Sequence, residues 1–291
     1  MRKTLLALSS LAALSTFSVQ AADYSDDIHK NDYKWGQFNL MYALDEKPQD
    51  KTSPNSDNGH NYLELEFGGR SGIVDLYGYL DIFNITENSH SDKDGQNKMY
   101  LKLNPRFSLD AMTGKDLSFG PVQELYIATL FEIGGGGASY DGYKEKSDGS
   151  YEEVTYGGTD TNGYKVGLGS DIMVPWLGKM GLNLYAVYDM NAKAWNGAQI
   201  STNWFKPFYT FNNDSFLSFQ GYVDWQFSDD SFKGTKQADN GGGAFFGLYW
   251  HSEHYAAGYG LKGYKDVYLI PDTTDFASSG WSHYFSVTYK F

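Results

Sequence analysis

Carboxylates and aromatic rings recur at a spacing of two in this sequence. One run is Tyr62, Glu64 and Glu66; a second is Asp75, Tyr77, Tyr79, Asp81 and Phe83. Two is the side-chain period of a β-strand, so each run lies on one face of an extended segment. Acids beside rings can cleave a glycosidic bond, or they can hold a flat polar solute. Cleavage needs two carboxyls flanking one bond from distinct sides, and Glu64 and Glu66 share a face. Recognition needs only rings to stack on and acceptors for hydroxyl protons. Stacking of a base on an aromatic ring contributes about 1–3 kcal/mol. Residues of the same character continue through the chain as Lys102, Arg106, Glu124, Tyr126, Asp171, Tyr185, Tyr222 and Asp224. These sixteen residues are the candidate substrate contacts.

Other chemistry is absent from the pattern. His251 and His254 lack the i, i+4 spacing and the following Glu of a zinc protease helix. Asp92-Lys93-Asp94-Gly95 begins like a calcium loop, but the twelfth position is Leu103 rather than Glu. Gly134–Gly137 is followed by neither Lys-Ser/Thr nor a helix, and no G-x-S-x-G elbow is present. There is no Cys, which removes disulfides, thiolate metal sites and thiol nucleophiles together. No enzyme, cofactor or metal is expected. The 36 acidic residues against 23 basic ones argue against a nucleic-acid partner, which asks for a basic face.

The elements that must carry these residues alternate with period two. Phe38, Leu40, Tyr42 and Leu44 oppose Gln37, Asn39 and Met41; Leu101, Leu103 and Phe107 oppose Lys102, Asn104, Arg106 and Ser108. The last segment sets Phe285, Val287, Tyr289 and Phe291 against Tyr284, Ser286, Thr288 and Lys290. Twelve such strands can be traced, although the face of Ala244–His251 cannot be assigned. Every second connection is long and polar: 45–60, 86–97, 134–163, 228–242 and 267–279, with a shorter one near 191–197. Brief turns lie between them, at Arg70–Ile73, Met112–Pro121, Val174–Met180, Phe208–Ser215 and Ser252–His254. An even strand count with alternating loop lengths and 17% aromatics predicts an all-β fold: a twelve-stranded antiparallel transmembrane β-barrel, with long extracellular loops and short periplasmic turns. The apolar rows then face lipid and the polar rows face water, which reconciles a mean hydropathy of −0.50 with a membrane protein.

Met1–Ala21 reads as a secretory signal: Arg2 and Lys3, an apolar stretch, and Val19-Gln20-Ala21 before the cut, with Ala22 as the second choice. The barrel then occupies 22–291. Its bore carries the sixteen candidates, and Lys165 and Lys262 add positive charge. Inward tyrosines also fill a narrow barrel, and inward charges also pair because burying them alone is costly. A selective channel for a flat, uncharged, polar solute, a general small-solute pore and a barrel that displays loops all fit this framework.

Several stretches resemble the nucleoside-specific channel (Tsx-like) family of outer-membrane proteins. They are Tyr62-Leu63-Glu64, Asp75-Leu76-Tyr77-Gly78-Tyr79, Pro105-Arg106-Phe107-Ser108, Asp116-Leu117-Ser118-Phe119-Gly120-Pro121, Gly167-Leu168-Gly169-Ser170-Asp171 and Tyr289-Lys290-Phe291. The resemblance covers nearly all of the mature chain and is weakest in the long loops. It implies a narrow channel in the outer membrane of a Gram-negative bacterium, with passive uptake of nucleosides and deoxynucleosides and a second, surface-exposed role as a phage receptor. The partners it implies are nucleosides, outer-membrane lipid and lipopolysaccharide, phage, and the barrel-assembly machinery acting on the C-terminal strand.

Overall fold

Hydrocarbon offers no water to an unpaired backbone N–H or C=O, so strands that cross it must pair on both sides and the sheet must close. The computed structural model describes Tyr24 and residues 26–53, 55–56, 58–137, 139–146, 149–157, 160–229 and 237–291. The expected signal segment Met1–Ala21 lies outside the described residues. In chain order the strands are β1 (Tyr33–Leu44), β2 (Gln49–Asp50), β3 (His60–Ser71), β4 (Val74–Phe83), β5 (Met99–Ser108), β6 (Val122–Gly135), β7 (Ser139–Glu145), β8 (Tyr151–Gly157), β9 (Thr161–Val174), β10 (Gly178–Asp189), β11 (Ala194–Thr210), β12 (Phe216–Phe227), β13 (Asn240–His251), β14 (Tyr255–Lys265), β15 (Phe276–Ala277) and β16 (Gly280–Lys290). Twelve of them form one closed barrel, and β1 seals it by pairing antiparallel with both β3 and β16. β7 pairs with β8, and β2 with β15, outside the wall.

The cross-strand register fixes the two faces. Phe38 lies opposite both Leu65 and Tyr289, Leu103 opposite Phe131, and Phe219 opposite Leu248. This row points outward: Leu168, Leu248 and Val287 are 66%, 57% and 60% exposed, as residues that meet lipid should be. The face of β13 is settled by the same register. Ala244, Phe246, Leu248 and Trp250 face out, and Phe245, Tyr249 and His251 face in. Glycines at 241–243 and 247 had erased the alternation there. Exposed aromatics mark both rims: Trp176, Phe208 and Tyr209 beside the short turns, and Trp195, Phe227 and Trp281 beside the long loops.

Connections alternate as the loop lengths predicted, with some boundaries shifted. The expected loop 134–163 is narrower, because β6 runs to Gly135, β9 starts at Thr161, and β7 and β8 form a hairpin between them. The expected turn Met112–Pro121 begins inside a short helix, Leu109–Thr113, capped by Ser108 Oγ accepting from the Ala111 N–H at 3.0 Å. Buried Asp110 then accepts from the N–H groups of Leu117 (3.0 Å) and Leu125 (3.1 Å). That one carboxylate ties the turn to the start of β6. A five-residue helix is too short to show in a hydrophobic period, which is why the alternation missed it.

Candidate functional site

The polar rows enclose the bore, and hydrogen bonds across it divide it into three tiers. The lowest lies beside the short turns. Here Arg106 of β5 binds Asp75 of β4 at 2.7 Å and Asp171 of β9 at 2.9 Å, with its guanidinium 4.1 Å above the Tyr126 ring. Arg70 of β3 binds Glu124 at 2.9 Å and donates to the Tyr126 hydroxyl, which donates to Asp171 at 3.0 Å. Lys179 reaches Asp171 at 2.6 Å. From the N-terminal side, Tyr24 donates to Glu124 at 2.6 Å and Tyr33 donates to Asp75 at 3.1 Å. Five candidates, Asp75, Arg106, Glu124, Tyr126 and Asp171, are thus brought together, and their partners are mostly one another. Arg70, expected in the turn Arg70–Ile73, belongs instead to β3. Its even position in β3, in step with Glu64 and Glu66, was the signal for an inward side chain.

The middle tier holds three carboxylates. Glu64 and Asp81 are register partners across β3 and β4, and Glu66 faces Tyr79 in the same way. Asn39 donates to Glu64 at 2.5 Å and to Glu66 at 3.1 Å; Gln37 and Tyr77 donate to Glu66 at 2.6 and 2.9 Å. Among the described residues none of these three acids has a cation within ion-pair distance. Tyr62 and Phe83 pack together nearby, with ring centroids 5.6 Å apart. Tyr185 of β10 is 2% exposed and its hydroxyl accepts from Asn104 of β5 at 2.9 Å, so its ring packs inside the barrel with no face left open to a solute.

The third tier, toward the long loops, is open. A cavity with about 510 Å³ of free space, including its mouth, is lined by Tyr79, Tyr100, Lys102, Glu132, Lys165, Gln199, Tyr222, Asp224, Lys262 and Tyr268, among others. Lys102 of β5 crosses the bore to Asp224 of β12 at 3.0 Å. Lys165 bonds Glu132 and Gln199, both at 2.6 Å. Tyr222 stacks on Phe245 at 5.7 Å with planes 12° apart, and Tyr79 lies 6.0 Å from Tyr100. Four of the sixteen candidates, Tyr79, Lys102, Tyr222 and Asp224, line this vestibule. Tyr100, Glu132 and Gln199 are not among the sixteen; the period-two signal for them is parity, Tyr100 being in step with Lys102 on β5 and Glu132 with Tyr126 on β6. Tyr268 belongs to a loop, where no period could have placed it.

Two loops fold over this end. Glu46, from the loop after β1, accepts from Lys93 at 2.7 Å and from the Tyr284 hydroxyl at 2.8 Å. His60 is enclosed between Asp92 at 2.9 Å and Glu46 at 3.6 Å. Burial pushes the Glu46 carboxyl up, but Lys93, His60 and Lys262 outweigh it and hold that carboxyl well below the usual range.

One nucleophile–base pairing does occur on the inner wall, Ser218 Oγ with His251 Nε2 at 2.8 Å. Ser218 is wholly buried and His251 stacks on Phe216 at 4.7 Å, so neither is open to a substrate.

The sequence profile described as "Nucleoside-specific channel-forming protein, Tsx" matches residues 30–291. The chain is 57% identical over 293 residues to the outer membrane protein OmpK of Vibrio parahaemolyticus, covering all of both chains. It is 28% identical over 322 residues, again covering all of both chains, to the nucleoside-specific channel-forming protein Tsx of Klebsiella aerogenes. Among solved structures, the NanC porin aligns at 7% identity and a TM-score of 0.45, over 87% of this chain and 100% of its own. With a profile match over nearly the whole barrel, the chain belongs to the family of nucleoside-specific channel-forming proteins, Tsx, and is an outer-membrane β-barrel channel.

Proposed function

We propose that the barrel conducts nucleosides and deoxynucleosides passively, and that the vestibule is where they are selected. The observation that carries this reading is the company kept in the vestibule: Tyr79, Tyr100 and Tyr222 offer ring faces beside Gln199, Asp224 and Lys102. Rings suit a base, and amides and carboxylates suit sugar hydroxyls. Several weak contacts in series favour entry without trapping. The lower tier is then a frame for the wall, and the middle acids are a second set of acceptors along the path. Lipid and lipopolysaccharide against the outward rows, and the assembly machinery at Tyr289-Lys290-Phe291, complete the proposed partners.

The test is ion current through the purified protein in a planar bilayer. Adenosine, inosine or thymidine is expected to block it saturably, half-maximally between about 1 μM and 1 mM, as contacts of about 1–3 kcal/mol each would give. Conductance unchanged at saturating nucleoside sinks the selective reading and leaves a general pore. Display to phage has one observation in its favour: the β7–β8 hairpin pairs only with itself among the described strands and is not needed for closure. Removing residues 139–157 is expected to abolish adsorption of a phage that depends on this protein while nucleoside block persists.

A further inference from the structure

Three lysines line the vestibule, and two are matched with acids: Lys102 with Asp224 and Lys165 with Glu132. Lys262 of β14 is different. Among the described residues it has no carboxylate within ion-pair distance. Its ammonium sits instead over three tyrosine rings, 4.8 Å from the centroid of Tyr264, 5.5 Å from Tyr222 and 5.9 Å from Tyr284. One N–H is engaged by the Tyr264 hydroxyl, and the faces of the rings hold the cation in place without saturating its remaining donors. The lysine therefore offers hydrogen bonds to a solute in the cavity it lines.

A ring is held close to it. Tyr268 stands in the loop after β14 with φ +58°, flanked by Asp266 at +42° and Leu269 at +60°. Non-glycine residues avoid that region, and such strain persists only where the surroundings impose it. They do so here. Val267 and Leu269 are buried; the Val267 N–H donates to Ser278 O at 3.1 Å, and Leu269 O accepts from the Ala238 N–H at 2.9 Å. The Asp266 N–H donates to Ser279 Oγ at 3.0 Å. Between two anchored neighbours, Tyr268 is left 57% exposed at the cavity wall. A base lying on it would bring its edge to Lys262.

We infer that Lys262 reads the carbonyl edge of the nucleobase while Tyr268 stacks on its face, so that the channel prefers oxo-bearing bases to amino-bearing ones. An ammonium only donates. The O6 and N7 acceptors of a 6-oxopurine suit it, as in lysine readout of guanine, whereas the 6-amino group of adenine presents a second donor. This inference rests on the nucleoside reading given above.

Inosine and adenosine differ only at C6 and in the N1 proton that goes with the 6-oxo group, so they form the matched probe pair. Block of ion current by each is measured on the full-length protein and on variants whose assembly is checked by heat-dependent gel migration. The wild type is expected to be half-blocked by inosine at about tenfold lower concentration than by adenosine. Lys262→Met should bring that ratio close to one, Lys262→Arg should keep it, and Tyr268→Ala should weaken block by both nucleosides to a similar extent. If Lys262→Met does not assemble, Lys262→Gln replaces it, and the ratio should again shrink. A wild-type ratio of one, or a ratio that survives loss of the ammonium, overturns the inference while leaving nucleoside selectivity intact. A uniform weakening by Lys262→Met also overturns it, because the lysine would then be reading the ribose. If neither nucleoside blocks, the nucleoside reading fails and this inference falls with it.

Discussion

The two ends of the bore use the same residue types to opposite effect. At the short-turn end, Arg70, Arg106 and Lys179 are surrounded by Asp75, Glu124 and Asp171, and the hydroxyl of Tyr126 links the two halves. At the long-loop end, acids, lysines and tyrosines surround an open cavity, and one lysine lacks an acidic partner among the described residues. Charges that satisfy one another stiffen a wall. Charges arranged around a space can act on something else. The difference between structural and functional polar groups here lies in the geometry of closure, not in composition.

The strongest way to break that comparison is Arg106→Ala. Arg106 is the shared partner of Asp75 and Asp171, which are 9% and 2% exposed at their side chains. Removing one member of a buried ionic network strands the others, and losses of about 3–5 kcal/mol are usual. Denaturant unfolding of the micelle-bound barrel should show a loss of that size. Stability within 1 kcal/mol of wild type would mean that the lower tier is solvated and free to meet solutes, and the contrast between the ends would be lost.

The vestibule should respond in affinity instead. Tyr79→Ala and Tyr222→Ala each remove a ring from the cavity wall. If the bases stack there, each change should weaken nucleoside block by about 1–3 kcal/mol, roughly tenfold or more. Planar-bilayer titrations measure this directly. Block that is indifferent to both changes would move the site down the bore toward Tyr77 and the middle acids.

How much of this could be read from the residues differs between the wall and the bore. Strand count and the faces of eleven strands follow from period two, because a one-residue slip would turn every apolar side chain to the wrong side. Only β13 resisted, its glycines having removed the pattern. The bore was legible as a list and not as a network. Arg106 and Asp171 lie 65 residues apart, and Lys102 and Asp224 lie 122 apart. No local spacing distinguishes a carboxylate that meets an arginine from one that meets a solute. The loop contacts, Glu46 with Lys93 and Tyr268 beside the cavity, depend on which loops fold inward, and no periodicity encodes that choice.

The smallest expected effect sharpens the comparison at the long-loop end, where Glu46 and Lys93 form a closed pair between two loops. The Glu46 carboxyl titrates below its ordinary value of 4.5, since Lys93, His60 and Lys262 outweigh burial. A carboxyl lowered on folding contributes stability above its unfolded value, and that contribution is lost only as the pH falls through the lower folded value. The loop cover of the wild type should therefore hold as the pH drops past 4.5, with open-channel conductance unchanged there. Lys93→Met removes the partner 2.7 Å away while the carboxyl stays buried, so Glu46 should take up its proton in milder acid. Conductance of this variant should begin to change at a higher pH than that of the wild type. Coincident acid profiles for the two proteins would show that the Glu46–Lys93 contact does not hold the loops over the vestibule.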